Sequence, residues 1–250
     1  MKKNIHCIIQ ARLGSSRLPG KIFLVGCKKS LIDHLIERVK FSKKISKIII
    51  ATPKSSSHDF FNSYFNSEKN NIFFGSENNV LDRYYKCAKK FESDIIIRIT
   101  SDCPLTDYRI IDKMLNYFKN NNCDYLSNVH PRYYPVGLDV EIFKFSALKK
   151  AHLNAKTNFE KEHVTPYIWN NFKIFRILSF KPKNILRNQS KKYRLTLDYL
   201  EDYILISKIF RKLYPSDKRF SYKKIIKYLI NNNEVSNINK KYIKSENVKI

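Results

Sequence analysis

Three cations stand within ten residues near the start of the chain: Arg12, Arg17 and Lys21 in the run Gln10-Ala11-Arg12-Leu13-Gly14-Ser15-Ser16-Arg17-Leu18-Pro19-Gly20-Lys21. Gly14, Ser15 and Ser16 add backbone N–H groups and hydroxyls that can turn toward an anion. This mixture suits a polyphosphate, which needs donors to hold its oxygens and cations to offset charge on a leaving pyrophosphate. Two familiar phosphate motifs do not fit. The Walker pattern needs four residues between its glycines and Ser or Thr after Lys. Here five residues separate Gly14 from Gly20, and Ile22 follows Lys21. The dinucleotide pattern G-x-G-x-x-G is absent. The competing reading of the run is an ordinary basic surface loop.

Such a loop works only if something rigid aims it. Ile5–Gln10 reads as a strand leading into it, and ligands bind at the C-terminal ends of strands in open α/β sheets. Leu31, Ile32, Leu35, Ile36 and Val39 recur with helical spacing, and Lys47–Ala51 reads as a second strand. His58–Phe65 reads as a helix, Ile72–Phe74 as a short strand and Val80–Phe91 as a helix. Asp94–Ile99 is apolar on both faces, as a central parallel strand should be. A helix over Ile110–Phe118 and strands at Tyr125–Ser127 and Asp139–Phe143 follow. Helices are expected over Ser146–Asn154 and Glu160–Asn170, extended chain over Phe175–Phe180 and a strand at Tyr193–Leu197. Helices over Leu200–Leu213 and Ser221–Asn231 complete the pattern, Ser221 serving as an N-cap. Alternating strands and helices point to an α/β fold, a Rossmann-like and mostly parallel sheet flanked by helices. Residues 1–232 read as one domain, and 233–250 as a polar, loosely held tail. The five glycines, Gly14, Gly20, Gly26, Gly75 and Gly137, all fall outside these elements. They are expected to mark positive φ or close backbone approach.

Composition narrows the class. The chain has 250 residues, 43% of them hydrophobic, enough for one core. Its mean hydropathy of -0.45 and short apolar runs argue against membrane insertion. Met1-Lys2-Lys3-Asn4 leads into too few apolar residues for a signal peptide, so a cytoplasmic location is expected. The five cysteines contain no C-x-x-C pair, which leaves reduced thiols rather than a zinc ribbon or a disulfide framework. Net charge is +26, from 48 Lys+Arg against 22 Asp+Glu. An anionic partner is one reading of that excess; a solvated surface rich in lysine is the other, since lysines run from Lys2 to Lys249 without one dominant block. No H-E-x-x-H, G-x-S-x-G or Cys/His cluster supports protease, hydrolase or zinc chemistry.

The run from Gln10 to Lys21 closely resembles the signature of the CMP-sugar-acid synthetases, the acylneuraminate and Kdo type of cytidylyltransferase. Its nearest-looking branch is the spore-coat polysaccharide biosynthesis protein F group. Five further stretches match that branch in order: Gly75-Ser76-Glu77-Asn78-Asn79-Val80-Leu81-Asp82-Arg83-Tyr84, Arg98-Ile99-Thr100-Ser101-Asp102-Cys103-Pro104-Leu105, Gly137-Leu138-Asp139-Val140-Glu141, Glu162-His163-Val164-Thr165-Pro166-Tyr167 and Arg194-Leu195-Thr196-Leu197-Asp198-Tyr199-Leu200-Glu201-Asp202. Ser101 replaces the branch's glycine. The resemblance covers about residues 5 to 230 and implies a nucleotide-diphospho-sugar transferase type of fold.

It also implies the chemistry. A hydroxyl of an acidic sugar attacks the α-phosphate of CTP and pyrophosphate leaves, a reaction governed by positioning and charge neutralisation. Gln10, Ala11, Arg12, Gly14, Ser15, Ser16, Arg17, Lys21, Arg83 and Asp102 would bind the nucleotide, with Arg12, Arg17, Lys21 and Asp102 the catalytic set. Asp102 and Asp198 would hold Mg²⁺, which prefers carboxylate and phosphate oxygens. Either aspartate could instead cap a helix. Asp82 and Arg83 could instead form a surface ion pair. Arg132, Asp139, Glu141 and His163 are the candidates for the sugar side, His163 as a general base or as a structural histidine. His6 and His34 read as packing or surface residues. Residues 131–191 would form a cap and a homodimer contact. Two other readings stand beside this one: a glycosyltransferase of related fold, and a nucleic-acid-binding module that would bind duplex with steep salt dependence. The first lacks its D-x-D motif, because Cys103-Pro104 follows Asp102; the second lacks an exposed stacking motif.

Overall fold

The computed structural model describes residues 3–54, 58–67, 71–182 and 191–243. The first strand, β1 (Ile5–Gln10), is buried from Ile5 to Ile9. β2 (Lys47–Pro53) and β4 (Ile95–Thr100) flank it, both parallel to it, and β3 (Asn71–Gly75) runs parallel to β2. Beyond β4 the direction changes. With β5 (Tyr125–Ser127), β6 (Glu141–Lys144) and β7 (Ile177–Ser179) added, the order is β3-β2-β1-β4-β6-β5-β7. β6 is antiparallel to β4 and β5, and β7 is parallel to β5.

Alternation along the strands builds two cores. Cys7 and Ile9 point into a core with residues of α1 (Leu31–Lys40), α4 (Tyr108–Asn120), α8 (Leu200–Leu213) and α9 (Tyr222–Asn231). Ile8 and Ile96 point the other way, into a core with α3 (Val80–Lys90), α5 (Phe145–Asn154) and α7 (Pro166–Asn170). Period-two strands covered by helices on both faces are the expected layering. Side chains start the helices: Ser30 Oγ accepts from the N–H of Asp33 at 3.1 Å, Asn79 Oδ1 from that of Asp82 at 2.9 Å, and Ser221 Oγ from that of Lys224 at 3.4 Å. The remaining helices, α2 (His58–Ser67), α6 (Asn158–His163) and α10 (Asn233–Ser236), are short or peripheral.

Four expectations change. The Asp94–Ile99 strand is parallel to a neighbour on one side only, because β6 joins it antiparallel. Tyr193–Leu197 forms no ladder; Arg194 makes a single bridge to Val136, and the segment is held by Leu195 N–H to Val136 O at 2.7 Å and Leu197 N–H to Asp102 O at 2.8 Å. The helix expected over Glu160–Asn170 is two helices, α6 and α7. Val164 parts them at φ 73, ψ -53, with the N–H of Thr165 on the His163 carbonyl at 2.9 Å. That is a γ-turn, a strained form seldom taken by a β-branched residue. Lastly, residues 233–243 are packed rather than loose: Val235 and Asn239 are buried, and a 3₁₀ turn spans Lys240–Tyr242. Residues 244–250 of the expected tail and 183–190 of the expected cap lie outside the described residues.

Candidate active site

A cavity of about 220 Å³ opens where β1 and β4 end side by side, the point at which strand order reverses. The end of β1 supplies Gln10, and the loop after it Ala11, Arg12, Ser15, Ser16, Arg17 and Lys21. Arg98, Thr100, Ser101 and Asp102 come from β4 and the turn that follows it. Arg83 reaches in from α3, His163 from the end of α6, and Asp198 from the turn before α8. The loop cations and both aspartates therefore share one cleft. Gly14, Arg132, Asp139 and Glu141 are not among its lining residues.

Asp198 is the electrostatic centre. Its Oδ1 accepts from Arg17 Nη2 at 2.8 Å and Lys21 Nζ at 2.9 Å, and its Oδ2 from Arg194 Nη2 at 2.8 Å. Lys21 also donates to the Leu197 carbonyl at 2.6 Å. Burial alone would push the Asp198 carboxyl up; Lys21 first, then Arg17 and Arg194, hold it below the usual carboxylate range. Arg17 is raised, chiefly by its hydrogen bond to Tyr199. Asp198 caps no helix. That work falls to Asp202, whose Oδ2 accepts from the N–H groups of Asp198 at 2.9 Å and Tyr199 at 3.0 Å.

Asp102 lies in the turn after β4, its backbone carbonyl pinned by the Leu197 N–H and, at 3.2 Å, by the Thr196 hydroxyl. Among the described residues its carboxylate meets one polar neighbour, the Cys103 thiol at 3.5 Å. It does not cap α4, because Asp107 does, accepting from the Arg109 N–H at 3.0 Å. Among the described residues, the N–H groups of Gly14, Ser15, Ser16 and Arg17 take no protein partner. This is the open donor array expected of a phosphate loop. Gly20 takes φ 65, a left-handed turn that brings Lys21 back over the cleft. Gly14 has neither positive φ nor a close neighbour, so the expectation for the glycines does not hold there.

The Asp82–Arg83 pair does not form. Asp82 pairs with Lys86 at 2.9 Å, while Arg83, 3% exposed, donates to the Ser76 carbonyl at 2.7 Å. A Cβ on Gly75 would lie 2.8 Å from Arg83 Cγ, so glycine there lets the arginine pass. Burial lowers the pKa of Arg83, and the charge of Arg12 adds to that.

The sugar-side candidates separate. His163 lines the cleft, its ring 4.6 Å from that of Phe159. Glu141 is buried and committed: it accepts from Arg98, from the Tyr125 hydroxyl at 2.5 Å and from the Thr165 hydroxyl at 2.7 Å. Burial alone would push the Glu141 carboxyl up; Arg98, with the Tyr125 and Thr165 hydroxyls, holds it below the usual carboxylate range. Arg132 and Asp139 form a two-point ion pair. Arg98 itself was missed as a site residue. It also donates to Gln10 Oε1 at 3.1 Å, so it ties the end of β1 to the floor of the cleft. A charge inside the run Ile95-Ile96-Ile97-Arg98-Ile99 was the available signal.

A larger hollow of about 570 Å³ lies at the opposite end of the sheet, against Ile5, Ile95 and Phe118. Two of its five lysines are spoken for, Lys144 by Asp124 at 3.0 Å and Lys44 by Asn116 and the Asp112 carbonyl. It sits at the N-terminal ends of β1 and β4, so we place the chemistry in the smaller, polar cleft.

A cationic loop and two acidic turns at the switch point of such a sheet define a nucleotidyltransferase. The chain belongs to the cytidylyltransferase family, whose profile matches residues 6–235. It is 39% identical to the uncharacterized protein MJ1063 of Methanocaldococcus jannaschii, covering 93% of each chain. It is 31% identical to the spore coat polysaccharide biosynthesis protein SpsF of Bacillus subtilis, covering 84% of this chain and 87% of that one. Among solved structures, a cytidylyltransferase from Leptospira borgpetersenii superposes with a TM-score of 0.87 at 33% identity, over 94% of this chain and 97% of that one. A CMP:2-keto-3-deoxy-manno-octonic acid synthetase complexed with CTP shares the fold, with a TM-score of 0.65 at 16% identity, over 84% and 99%. No helix among the described residues is long and apolar enough to cross a membrane.

Proposed function

We propose that this cytidylyltransferase transfers CMP from CTP to an acidic sugar of the nonulosonate or Kdo type, releasing pyrophosphate, in the cytoplasm and for surface polysaccharide synthesis. The observation that carries the reading is one cleft lined by Arg12, Arg17 and Lys21 together with Asp102 and Asp198. Support for the acceptor comes from SpsF and from a 3-deoxy-manno-octulosonate cytidylyltransferase of Thermodesulfovibrio yellowstonii, 32% identical over 124 residues, 46% of this chain and 48% of that one.

The cations do the transfer work. A triphosphate entering the loop competes with Asp198 for Arg17 and Lys21, which move from carboxylate to phosphate oxygens. That exchange frees Asp198 Oδ1 in the cleft that also holds the Asp102 carboxylate, which pairs with no cation among the described residues. The donor set is hard oxygen at the mouth of a polyphosphate site, which fits Mg²⁺. Bound there by Asp102 and Asp198, the ion would offset charge on the transferring phosphate. Arg17 and Lys21 offset charge on the departing pyrophosphate. His163 at the cleft wall is the candidate to take the proton of the attacking sugar hydroxyl. A homodimer that uses residues 131–191 belongs to the same proposal.

The test is a matrix of nucleoside triphosphates against sugar acids with Mg²⁺, read by pyrophosphate release and by detection of the CMP-sugar. Release with CTP and one sugar acid, abolished by a chelator, is the expected result. No pyrophosphate from any triphosphate, with nucleotide released instead from a preformed nucleotide sugar, would turn the assignment toward a glycosyltransferase.

A further inference from the structure

The segment after α9 closes back onto the nucleotide cleft. Asn239, 1% exposed, donates from Nδ2 to the Arg194 carbonyl at 3.0 Å and to Asp202 Oδ1 at 2.7 Å. Asp202 in turn holds the Arg194 guanidinium and the backbone of Asp198 and Tyr199. Three residues on, the Tyr242 ring lies flat on the Tyr199 ring, centroids 3.9 Å apart and planes 1° from parallel. The Tyr242 hydroxyl reaches Glu201 at 3.1 Å, and Lys241 pairs with the same carboxylate at 2.6 Å. Tyr199 is the residue on which Arg17 rests: its hydroxyl accepts from Arg17 Nη1 at 3.4 Å, and the guanidinium carbon lies 5.0 Å from the ring centroid.

This chain of contacts has a physical consequence. The Arg17 side chain is 51% exposed, so little besides Asp198 and Tyr199 limits its rotamers. When phosphate replaces Asp198 as its partner, the Tyr199 ring becomes the fixed surface that keeps the guanidinium over the cleft. Tyr199 lies outside regular structure, in the N-cap position of α8. A stacked aromatic partner restrains its ring where the backbone alone does not.

We propose that Tyr242 is a positioning residue for nucleotide binding, acting through Tyr199 on Arg17, and that Asn239 anchors the segment that carries it. The proposal rests on the reading that Arg17 grips the triphosphate.

The experiment uses the full chain and measures the affinity for CTP with Mg²⁺ by calorimetry, beside thermal stability. Tyr242→Leu keeps apolar cover but removes the stacking face, and Tyr242→Phe keeps both. The leucine variant is expected to weaken CTP binding roughly two- to five-fold, the scale of a surface cation–aromatic contact, with unchanged melting. The phenylalanine variant should bind as the parent does. The deciding measurement repeats Tyr242→Leu in an Arg17→Ala background. If Tyr242 acts through Arg17, the second change costs no further affinity there; a purely structural role gives the same fold loss in both backgrounds. Equal loss in both, or no loss in the parent background, overturns the proposal. A parent protein that binds no CTP sinks the functional reading itself, an outcome distinct from either.

Discussion

Asp102 and His34 show how burial and partners decide what a titratable residue does. Among the described residues no cation pairs with Asp102 where it reaches the cleft, so removing its charge should leave packing untouched. Asp102→Asn is expected to lower turnover at least about a hundredfold while melting stays within about 2 °C of the parent. Turnover at the parental rate would remove Asp102 from the metal assignment. His34 is the opposite case. It is fully buried, stacked on Phe210 at 4.0 Å, and bonded through Nε2 to the Cys27 carbonyl at 3.0 Å. Desolvation pulls its pKa from 6.5 down to about 4. Between those values the unfolded chain binds a proton that the folded chain does not, so stability falls as pH drops through that window. The contribution is roughly 3 kcal/mol. Denaturant unfolding of the parent and of His34→Leu from pH 7 to pH 4 should show the parent losing more; parallel curves would refute it. Residue types alone disclosed the cationic loop, because Arg12, Arg17 and Lys21 are close in sequence. The Arg98–Glu141 pair stayed hidden because its members stand on antiparallel strands, facing in register. His163 was visible in its motif, but only the γ-turn at Val164 aims it into the cleft while Thr165 turns to Glu141.

The longer helices were read closely from periodicity, and the last also from its Ser221 cap, since an amphipathic face and a serine at its start are local properties. Elements held by distant partners were not. Residues 193–197 alternate like a strand, yet they lie across the Asp102 turn with only bridge contacts. Gly137 makes that approach feasible, since a Cβ there would meet the Leu195 carbonyl carbon at 2.2 Å. The turn carrying Asp102 has its own anchor. Asp107, 1% exposed, caps α4 with one oxygen and accepts the N–H of Tyr222, in the first turn of α9, at 2.8 Å with the other. Nearby, the buried Arg38 donates to the carbonyls of Leu105, Thr106 and Phe220. One carboxylate thus serves two helix starts. Asp107→Ala should cost about 2 kcal/mol, two caps' worth, and lower the melting temperature by about 4–8 °C. Asp107→Asn should recover part of that loss, because an amide oxygen still accepts. A melting temperature for the alanine variant within 1 °C or so of the parent would show that neither cap bears weight.

At the scale of the molecule, the parallel half of the sheet was legible because its strands are long apolar runs separated by crossover helices. The other edge was less so: β5 and β7 have three residues each, and their pairing is fixed by fold rather than by local pattern. Net charge was legible as a number but not as a purpose. The structure divides it. Arg17 and Lys21 in the cleft and the buried Arg194 behind it converge on Asp198, whereas many lysines stand exposed elsewhere. These two populations must answer salt with opposite signs. Charges of one sign spread over a surface repel, and screening them favours the compact chain. Cations aimed at a polyphosphate attract it, and the same screening weakens that attraction. Raising NaCl from about 20 to about 200 mM shortens the Debye length from roughly 20 to roughly 7 Å, below most distances between surface lysines but not below a direct contact. The melting temperature should therefore rise with salt while the affinity for CTP and Mg²⁺ falls severalfold. Arg17→Ala should flatten the second response and leave the first intact. A melting temperature that falls with salt would mean that attraction, not repulsion, dominates the surface, and that the +26 is already neutralised where it lies.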